Sequence, residues 1–316
     1  MIRDDITKIG REQRISVVET LQELMDKDIN VVALEADLGG ASGFTKIVKS
    51  HPQQFIQVGI AEANMIGIAA GMSSLGYKPF VHTFGPFATR RVFDQIFISG
   101  AYAHNTINIY GSDPGFCAGP NGGTHTTFED VALMRTIPSA IVCDGADDTQ
   151  LSFIIKEFSK LEGIHYVRAN RKGVRDIYTK DTKFTLGKGI ICKEGRDVLV
   201  ITSGQILADA LDCAYELEKE GISVEVIDMF TIKPLDKELV LSEIKNKSVV
   251  VTFENHSIIG GLGSAISEVI AENGISTKFK RHGIDERFGQ VGTQEFLQKE
   301  FRLTCVDLKK TIKELL

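Results

Sequence analysis

The sequence predicts an α/β protein of two domains, each a mainly parallel sheet flanked by helices. The chain has 316 residues, 43% hydrophobic and 25% charged, which is enough for two cores of roughly 150 residues each. Short apolar runs alternate with helical patterns along the chain, as is typical of parallel sheets wrapped by helices. A polar, glycine-containing stretch interrupts this alternation after Asn170.

The first unit shows strand and helix patterns in turn. Residues 30–34 form an apolar run that predicts a buried strand, followed by a turn at 37–40 and by a helix near Glu62. Further strands are predicted at 106–110, 140–143 and 165–168, and a helix at 149–156. We therefore expect a first domain at 1–175 and a linker at 176–194.

A second, smaller unit follows the linker. Its predicted strands lie at 197–202, 223–227 and 248–252, and its first helix at 206–217. We expect this domain to occupy residues 195–316. The strand-to-helix loop with Gly260, Gly261 and Gly263 is interpreted as a tight turn, because no dinucleotide-type glycine motif opens the domain.

Composition narrows the class of function. The net charge of -6 comes without a sustained basic run, which argues against nucleic-acid or anionic-membrane partners. The five cysteines are scattered and odd in number, as expected of a cytoplasmic protein. No apolar run approaches the length of about 20 that spans a bilayer, and we expect no export. Small-molecule chemistry is therefore favoured.

Glu62 is the most informative residue. It lies near the start of an almost wholly apolar helical stretch, 59–72. A helix that is apolar on every side is normally buried, so a carboxyl there must be neutralised, hydrogen-bonded or put to use. The alternative is that Glu62 only caps the helix or complements its dipole.

Two later segments add to this signal. Phe84, Phe87 and Phe93 lie beside Arg90 and Arg91, where aromatic faces could stack a flat ring; the alternative is a helical core stripe with solvated arginines. A glycine-rich loop at 111–127 follows a strand, the usual position of ligand-binding loops in α/β proteins.

His125 lies in that loop. A histidine on such backbone can carry a proton near neutral pH or contact an oxyanion. The alternative is an ordinary surface histidine.

Read together, four segments resemble the C-terminal half of transketolases, which depend on thiamine diphosphate. They are 36–38, 59–65, 83–87 and 122–125, and their order and spacing agree with that family. The resemblance continues through 254–263 and so covers almost the whole chain. It implies a pyrimidine-binding domain followed by a transketolase C-terminal domain.

The resemblance also implies cofactor contacts. Glu62 would hydrogen-bond the ring nitrogen N1′ and share a proton with it. Phe87 would stack on the pyrimidine and Phe84 would line its pocket. Leu38 would prop the bent cofactor, and Asp37 would lie near the thiazolium.

The substrate site follows from the same matching. It would consist of Asn121, His125, Arg171, Ser42 and Arg90, with His125 contacting the substrate oxygens. Asn121 replaces an aspartate that is common in transketolases, and Asp113 stands where sugar-phosphate enzymes have a phosphate-contacting histidine. An acid repels phosphate, whereas Arg171 matches a phosphate-binding arginine of the family, so the phosphate site is half present and we expect an unusual or unphosphorylated acceptor.

The resemblance finally implies a partner. Transketolases bind the metal and the diphosphate through a GDG motif and later asparagines, which this chain lacks; the run 143–148 falls where the family has a strand-to-helix turn. We therefore expect a split transketolase in which a GDG-containing N-terminal subunit holds most of the Mg²⁺ (or Ca²⁺), and this chain binds no metal. The particle would be an α2β2 heterotetramer.

The activity implied is transfer of a two-carbon ketol unit from a ketose or ketose phosphate to an aldose, through a thiamine-diphosphate enamine. The alternatives are a decarboxylating relative, either a deoxyxylulose-phosphate synthase-like enzyme or a 2-oxo acid dehydrogenase beta subunit. A catalytically silent regulatory subunit is a further alternative.

Overall fold

The computed structural model describes residues 1–316. The strands are β1 (Ile9–Glu12), β2 (Val31–Glu35), β3 (Phe55–Gln57), β4 (Lys78–Phe84), β5 (Ile107–Ser112), β6 (Ile141–Asp144), β7 (Ile164–Ala169), β8 (Gly173–Arg175), β9 (Ile190–Lys193), β10 (Val198–Thr202), β11 (Val224–Asp228), β12 (Thr231–Lys233), β13 (Val249–Ser257) and β14 (Lys278–Ile284).

The helices are α1 (Gln13–Met25), α2 (Gly39–Ser42), α3 (Thr45–Ser50), α4 (Glu62–Ser74), α5 (Gly85–Ala88), α6 (Phe93–Gln95), α7 (Asp130–Thr136), α8 (Asp148–Phe158), α9 (Leu207–Glu218), α10 (Lys237–Ile244), α11 (Leu262–Glu272), α12 (Gln294–Glu300) and α13 (Cys305–Leu315). Short 3-10 segments lie at Pro52–Gln54, Arg90–Val92, Gly115–Asn121 and Gly204–Ile206, and a π-helical segment at Ile96–Tyr102. None of the helices combines the length and apolar character needed to cross a bilayer.

The first sheet has seven strands in the order β12-β6-β7-β5-β4-β2-β3. All neighbours are parallel except β12, which runs antiparallel to β6. Strands β2, β5 and β7 are buried at every position, because helices cover both faces of the sheet. The predicted strands of this domain are confirmed to within two residues.

The second sheet has five strands in the order β14-β13-β10-β11-β9, parallel except at β9. Its predicted strands and first helix are also confirmed. The fold class is therefore as predicted, two mainly parallel sheets flanked by helices.

The chain crosses between the two units more than the sequence suggests. Strand β9 lies inside the stretch expected to be linker, yet it pairs with β11. Strand β12 follows β11 but joins the first sheet, with Thr231 opposite Cys143. One apolar cluster contains side chains from both sheets, so the two units pack against each other through a shared core.

Helix α4 differs from expectation. Its composition predicts burial on every side, but only one face packs on the sheet, through Met65 and Ile66. The opposite face, with Ala63 and Gly67 among its members, is accessible to solvent, and Ile60 just before the helix is 77% exposed. An apolar composition therefore does not mean burial within this one chain.

The parallel arrangement brings four loops together at one edge of the first sheet. They follow the carboxyl ends of β2, β4, β5 and β7, which are neighbours in the sheet. Ligands of α/β proteins bind at this edge. The loops carry Asp37, Phe87, Asp113 and Arg171.

Candidate active site

Glu62 is the first residue of α4 and is only 5% exposed. Its position at the helix N-terminus favours a negative charge, because the dipole and the free N–H groups point toward it. Arg91 donates from Nη1 to Oε1 of Glu62 over 2.7 Å. The carboxylate is therefore buried but paired.

Arg91 also lies over an aromatic ring. Its guanidinium carbon is 3.7 Å from the ring centroid of Phe87, a cation-π contact. A planar donor group thus stacks on Phe87 while it donates to Glu62. The sequence shows Arg91 close to the aromatic residues, but no role for it was predicted from the sequence.

Phe84 and Phe87 do not form a helical stripe with Phe93. Phe84 ends β4, Phe87 lies in the short helix α5, and Phe93 begins α6, so the core-stripe interpretation is wrong. The rings of Phe84 and Phe87 lie 6.2 Å apart in an edge-on arrangement.

The glycine-rich loop brings His125 to these two rings. The imidazole lies 5.4 Å from Phe84 and 5.1 Å from Phe87, edge-on in both cases. The loop needs its glycines: a Cβ at Gly123 would lie 2.5 Å from the carbonyl oxygen of Gly289. The imidazole of His125 therefore packs against the aromatic pair, and its role in a site stays a prediction.

The turn after β2 is held by hydrogen bonds to its backbone. Asp37 has a left-handed backbone, with φ 60°, and its N–H donates to Oε1 of Gln57 over 2.8 Å. The N–H of Leu38 donates to Oε2 of Glu35 over 2.5 Å. The side chain of Asp37 is exposed and that of Leu38 is half-buried.

A buried polar chain lies beneath this turn. His82 contacts Oε1 of Glu35 through Nδ1 (3.1 Å) and Oγ of Ser112 through Nε2 (3.0 Å). All three residues are fully buried. Sequence reasoning missed them; the available signal was an acid and a histidine at otherwise apolar strand positions.

The predicted substrate residues fall into different environments. Asn121 is exposed on the glycine-rich loop. Arg90 pairs with Glu129 over 2.5 Å and lines a groove of about 450 Å³ beside Gly123, together with Arg287 and Phe288. Arg90 and Asn121 are therefore accessible from the side of the molecule that carries His125.

Ser42 does not fit the predicted substrate role. It is fully buried, its hydroxyl donates to the carbonyl of Gly39 over 3.3 Å, and it accepts from the N–H of Phe44 over 3.1 Å. The hydroxyl also lies 3.4 Å from Oε1 of Glu35, so it contacts its own turn and a buried carboxylate and is out of reach of a substrate.

Arg171 is paired with Asp113. The Nε and Nη2 atoms of Arg171 both lie 2.6 Å from Oδ2 of Asp113, and its backbone N–H donates to Oδ1 over 2.9 Å. The guanidinium also lies 4.6 Å from the ring of Phe84. Asp113 is thus not a free acid facing a phosphate, because its charge is matched by the cation expected to bind that phosphate.

Comparison with known proteins decides the family. Residues 13–176 match the transketolase pyrimidine binding domain, and residues 187–308 match the transketolase C-terminal domain. The chain belongs to the transketolase family. Membership of this family implies dependence on thiamine diphosphate.

Similar transketolases include chains that form only one part of the enzyme. The chain is 42% identical to the 6-deoxy-6-sulfo-D-fructose transketolase subunit of Clostridium sp. (strain MSTE9), over 95% of this chain and 93% of the relative. It is 33% identical to one of the subunits of the apulose-4-phosphate transketolase of Phocaeicola vulgatus, over 84% of this chain and 85% of the relative.

Among solved structures, a split gene transketolase described as an inactive beta4 tetramer superposes with a TM-score of 0.90 at 36% identity, over 97% of this chain and 99% of that chain. The resemblance to a C-terminal transketolase subunit is therefore confirmed. The decarboxylating and regulatory alternatives are less supported, because these relatives are transketolase subunits.

Asp144 and Asp147 lie in the run 143–148, which most resembles a metal-binding motif, and both make hydrogen bonds within this transketolase subunit. Asp144 hydrogen-bonds Ser203 and lies 3.5 Å from Arg168, and Asp147 caps α8 by accepting from the N–H of Gln150. Burial raises the pKa of both carboxyls to about 6. No group of three or more His, Cys, Asp or Glu side chains is placed to hold a metal ion.

In the second domain of this transketolase subunit, the side chain of Glu254 occupies the glycine turn at 260–263. Oε1 of Glu254 accepts from the N–H of Gly263 over 2.9 Å at the start of α11. Burial raises the pKa of Glu254 to about 8, although backbone hydrogen bonds oppose the shift. The glycines give the turn the room it needs, since a Cβ at Gly261 would lie 2.2 Å from Oε2 of Glu254.

Proposed function

We propose that this transketolase subunit grips the aminopyrimidine of thiamine diphosphate between Phe87 and Glu62. The observation that carries the proposal is the position of Arg91. Its planar guanidinium stacks on Phe87 and donates to Glu62 at the same time. An aminopyrimidine is likewise flat and presents a ring nitrogen to an acid, so this pair of residues fits the ring.

Thiamine diphosphate, when bound, supplies the carbon nucleophile and the electron sink needed to break and form a ketose carbon–carbon bond. Glu62 would share a proton with N1′, because its carboxyl is buried beside Phe87 and already accepts a hydrogen bond there from Arg91. Phe87 would fix the plane of the ring, and Phe84 would close the side of the pocket. The side chain of Leu38 would prop the cofactor, and Asp37 would lie near the thiazolium.

His125 would act on the substrate. Its ring is held against Phe84 and Phe87, and Nδ1 contacts the hydroxyl of Thr124 over 2.9 Å, which leaves Nε2 to contact substrate oxygens. The groove lined by Arg90 is of the size of small-molecule sites in proteins. We propose that Arg90 contacts the sugar in this groove, and that Asn121 contacts it from the exposed part of the glycine-rich loop.

The partner would supply the remaining part of the cofactor site. We propose a GDG-containing N-terminal subunit that holds the diphosphate and most of the Mg²⁺ or Ca²⁺, in an α2β2 particle. The exposed apolar face of α4 begins at the site itself, next to Glu62. This face supports an interface there, since exposed apolar surface of this kind marks association.

A cytoplasmic location is supported by five cysteines that are all free thiols.

The reaction proposed is transfer of a two-carbon ketol unit from a ketose to an aldose. Two relatives of this chain are named for a sulfonated fructose and for a sugar phosphate. We therefore propose that the substrate is a sugar that carries an anionic group or a hydroxyl at the end opposite to the transferred carbons. The substrate choice rests on Arg90, Asn121 and Arg171.

Titration of thiamine diphosphate with Mg²⁺ into this chain, into the GDG subunit and into their mixture tests the proposal. We expect micromolar binding by the mixture only. Equal affinity for this chain alone would contradict the shared site.

A further inference from the structure

We propose that Glu35, His82, Gln57 and Ser112 form one positioning network that sets the geometry of the cofactor loops. The four residues will be called the edge network. This inference rests on the proposed function for its effect on the cofactor, but its structural basis is independent of it.

The edge network crosses four neighbouring strands. In the sheet order β5-β4-β2-β3, it takes Ser112 from β5, His82 from β4, Glu35 from β2 and Gln57 from β3. Glu35 is the register partner of both His82 and Gln57. The side chains are thus placed in a row across the carboxyl edge of the sheet.

Continuous hydrogen bonds join the row. Ser112 contacts His82 (3.0 Å), and His82 contacts Oε1 of Glu35 (3.1 Å). Gln57 donates from Nε2 to Oε2 of Glu35 over 3.3 Å. Carboxylates buried to this degree are costly unless hydrogen-bonded, and here both oxygens of Glu35 have partners.

The free ends of the network hold the site loops. Glu35 accepts from the N–H of Leu38, and Oε1 of Gln57 accepts from the N–H groups of Asp37 (2.8 Å) and Gly59 (3.0 Å). Gly59 lies three residues before Glu62. The N–H of Leu38 is therefore bonded directly to the buried carboxylate of Glu35, whereas those of Asp37 and Gly59 are bonded to Gln57, an exposed residue that donates to the same carboxylate.

The other two members precede the remaining site residues. His82 lies two residues before Phe84, and Ser112 directly precedes Asp113. The rings of Phe44 and Tyr110 pack at 5.3 Å and 4.9 Å from His82 and shield it. Packing alone does not require polar residues at these positions, because replacing a buried polar pair by apolar side chains is often neutral or stabilising. The polar side chains are best explained by the backbone N–H groups that they bind.

The test compares Glu35→Gln and His82→Phe with a matched control, His165→Phe. His165 is also a fully buried strand histidine, bonded to Asn108 over 2.7 Å, but it lies on β7 away from these loops. Hydrogen exchange of the full-length chain is followed by mass spectrometry in segments 36–42 and 57–62. Thermal unfolding of each variant gives the global loss of stability.

We expect both network variants to increase the rate of amide hydrogen exchange in the two segments by tenfold or more. The control variant should leave these exchange rates unchanged even where its loss of thermal stability equals that of the network variants. Exchange that follows global stability in all three variants would overturn the positioning role. This readout needs no cofactor, so it separates failure of the network from failure of the proposed function.

In the assembled two-subunit protein, we further expect the network variants to weaken thiamine diphosphate binding at least tenfold relative to the control. Faster exchange with unchanged affinity would overturn the link to the cofactor. If the wild-type protein binds no thiamine diphosphate, the proposed function fails while the exchange result still decides the network.

Discussion

Arg91 donates a hydrogen bond to Glu62 over 2.7 Å while its guanidinium covers the face of Phe87 at 3.7 Å. A flat ring cannot stack on that face of Phe87 while the guanidinium occupies it. Arg91 therefore competes with the proposed cofactor ring for both of its contacts, the face of Phe87 and the carboxyl of Glu62.

Replacing Arg91 by alanine should therefore strengthen cofactor binding. The stacked guanidinium contributes about 1 kcal/mol, which corresponds to roughly a fivefold gain in affinity for the assembled enzyme. Calorimetric titration with thiamine diphosphate measures this. Arg90→Ala is the control, since Arg90 pairs with Glu129 and should leave cofactor affinity unchanged. Weaker binding by Arg91→Ala would show that the guanidinium instead holds the cofactor.

Glu62→Gln should reduce turnover by roughly 10²–10⁴-fold, the range expected for loss of a positioned proton carrier. The amide keeps the size of the side chain and an oxygen that can accept from Arg91, so the fold should be retained. Steady-state kinetics of the two-subunit enzyme measures the loss. Glu314→Gln, on an exposed helix end, should have full activity. Full activity of the Glu62 variant would refute the proton role.

Asp113→Asn should shift substrate preference toward phosphorylated sugars. It removes the charge that neutralises Arg171, and a charge-assisted hydrogen bond made free for phosphate corresponds to roughly tenfold in KM. Asparagine is suited to the left-handed backbone at this position, where φ is 55°. The ratio of kcat/KM for a ketose phosphate and its unphosphorylated form gives the result. An unchanged ratio would place Arg171 outside the substrate site.

Stability should fall as pH rises above neutrality because of Glu254. Burial raises its pKa to about 8, so between pH 6.5 and 8 the folded chain retains a proton that the unfolded chain has lost, and the free energy of unfolding decreases. Buried Asp228, with its pKa raised to about 7, acts in the same direction. His165 and His256, whose pKa values burial lowers to about 4, act in the opposite direction only below about pH 6.5.

Denaturant unfolding of wild type and Glu254→Gln across pH 6.5–8 isolates this effect. Glutamine can still accept from the N–H of Gly263 but does not titrate. We expect the variant to lose about 2 kcal/mol less than wild type over this range. Parallel pH curves would contradict the assignment.

The elements of the fold are well predicted from the sequence because each depends on local pattern. The buried strand β2 is an apolar run, and the start of α4 follows from the residues around Glu62. Strand β12 is missed, since three residues give no periodicity and its pairing with β6 is set by tertiary contacts. The apolar character of α4 predicts burial, but the sequence does not separate burial within a chain from burial against another one.

The site is predicted in part. Phe84, Phe87 and His125 meet as expected, because their loops follow neighbouring parallel strands. The partners of charged groups could not be predicted: Arg171 and Asp113 lie 58 residues apart in the chain. The role expected for Ser42 is wrong because a short side chain bonds most easily to its own turn. The roles assigned to the cofactor and substrate residues stay predictions.

Transfer of label between sugars tests the central claim most directly. A ketose carrying carbon-13 at both C1 and C2 is incubated with an unlabelled aldose, thiamine diphosphate and Mg²⁺, in the presence of this chain, the GDG subunit or both. We predict that both carbons appear, still bonded to each other, in a new ketose only when both chains are present. Transfer by either chain alone, or labelled carbon dioxide in place of the new ketose, would contradict the account.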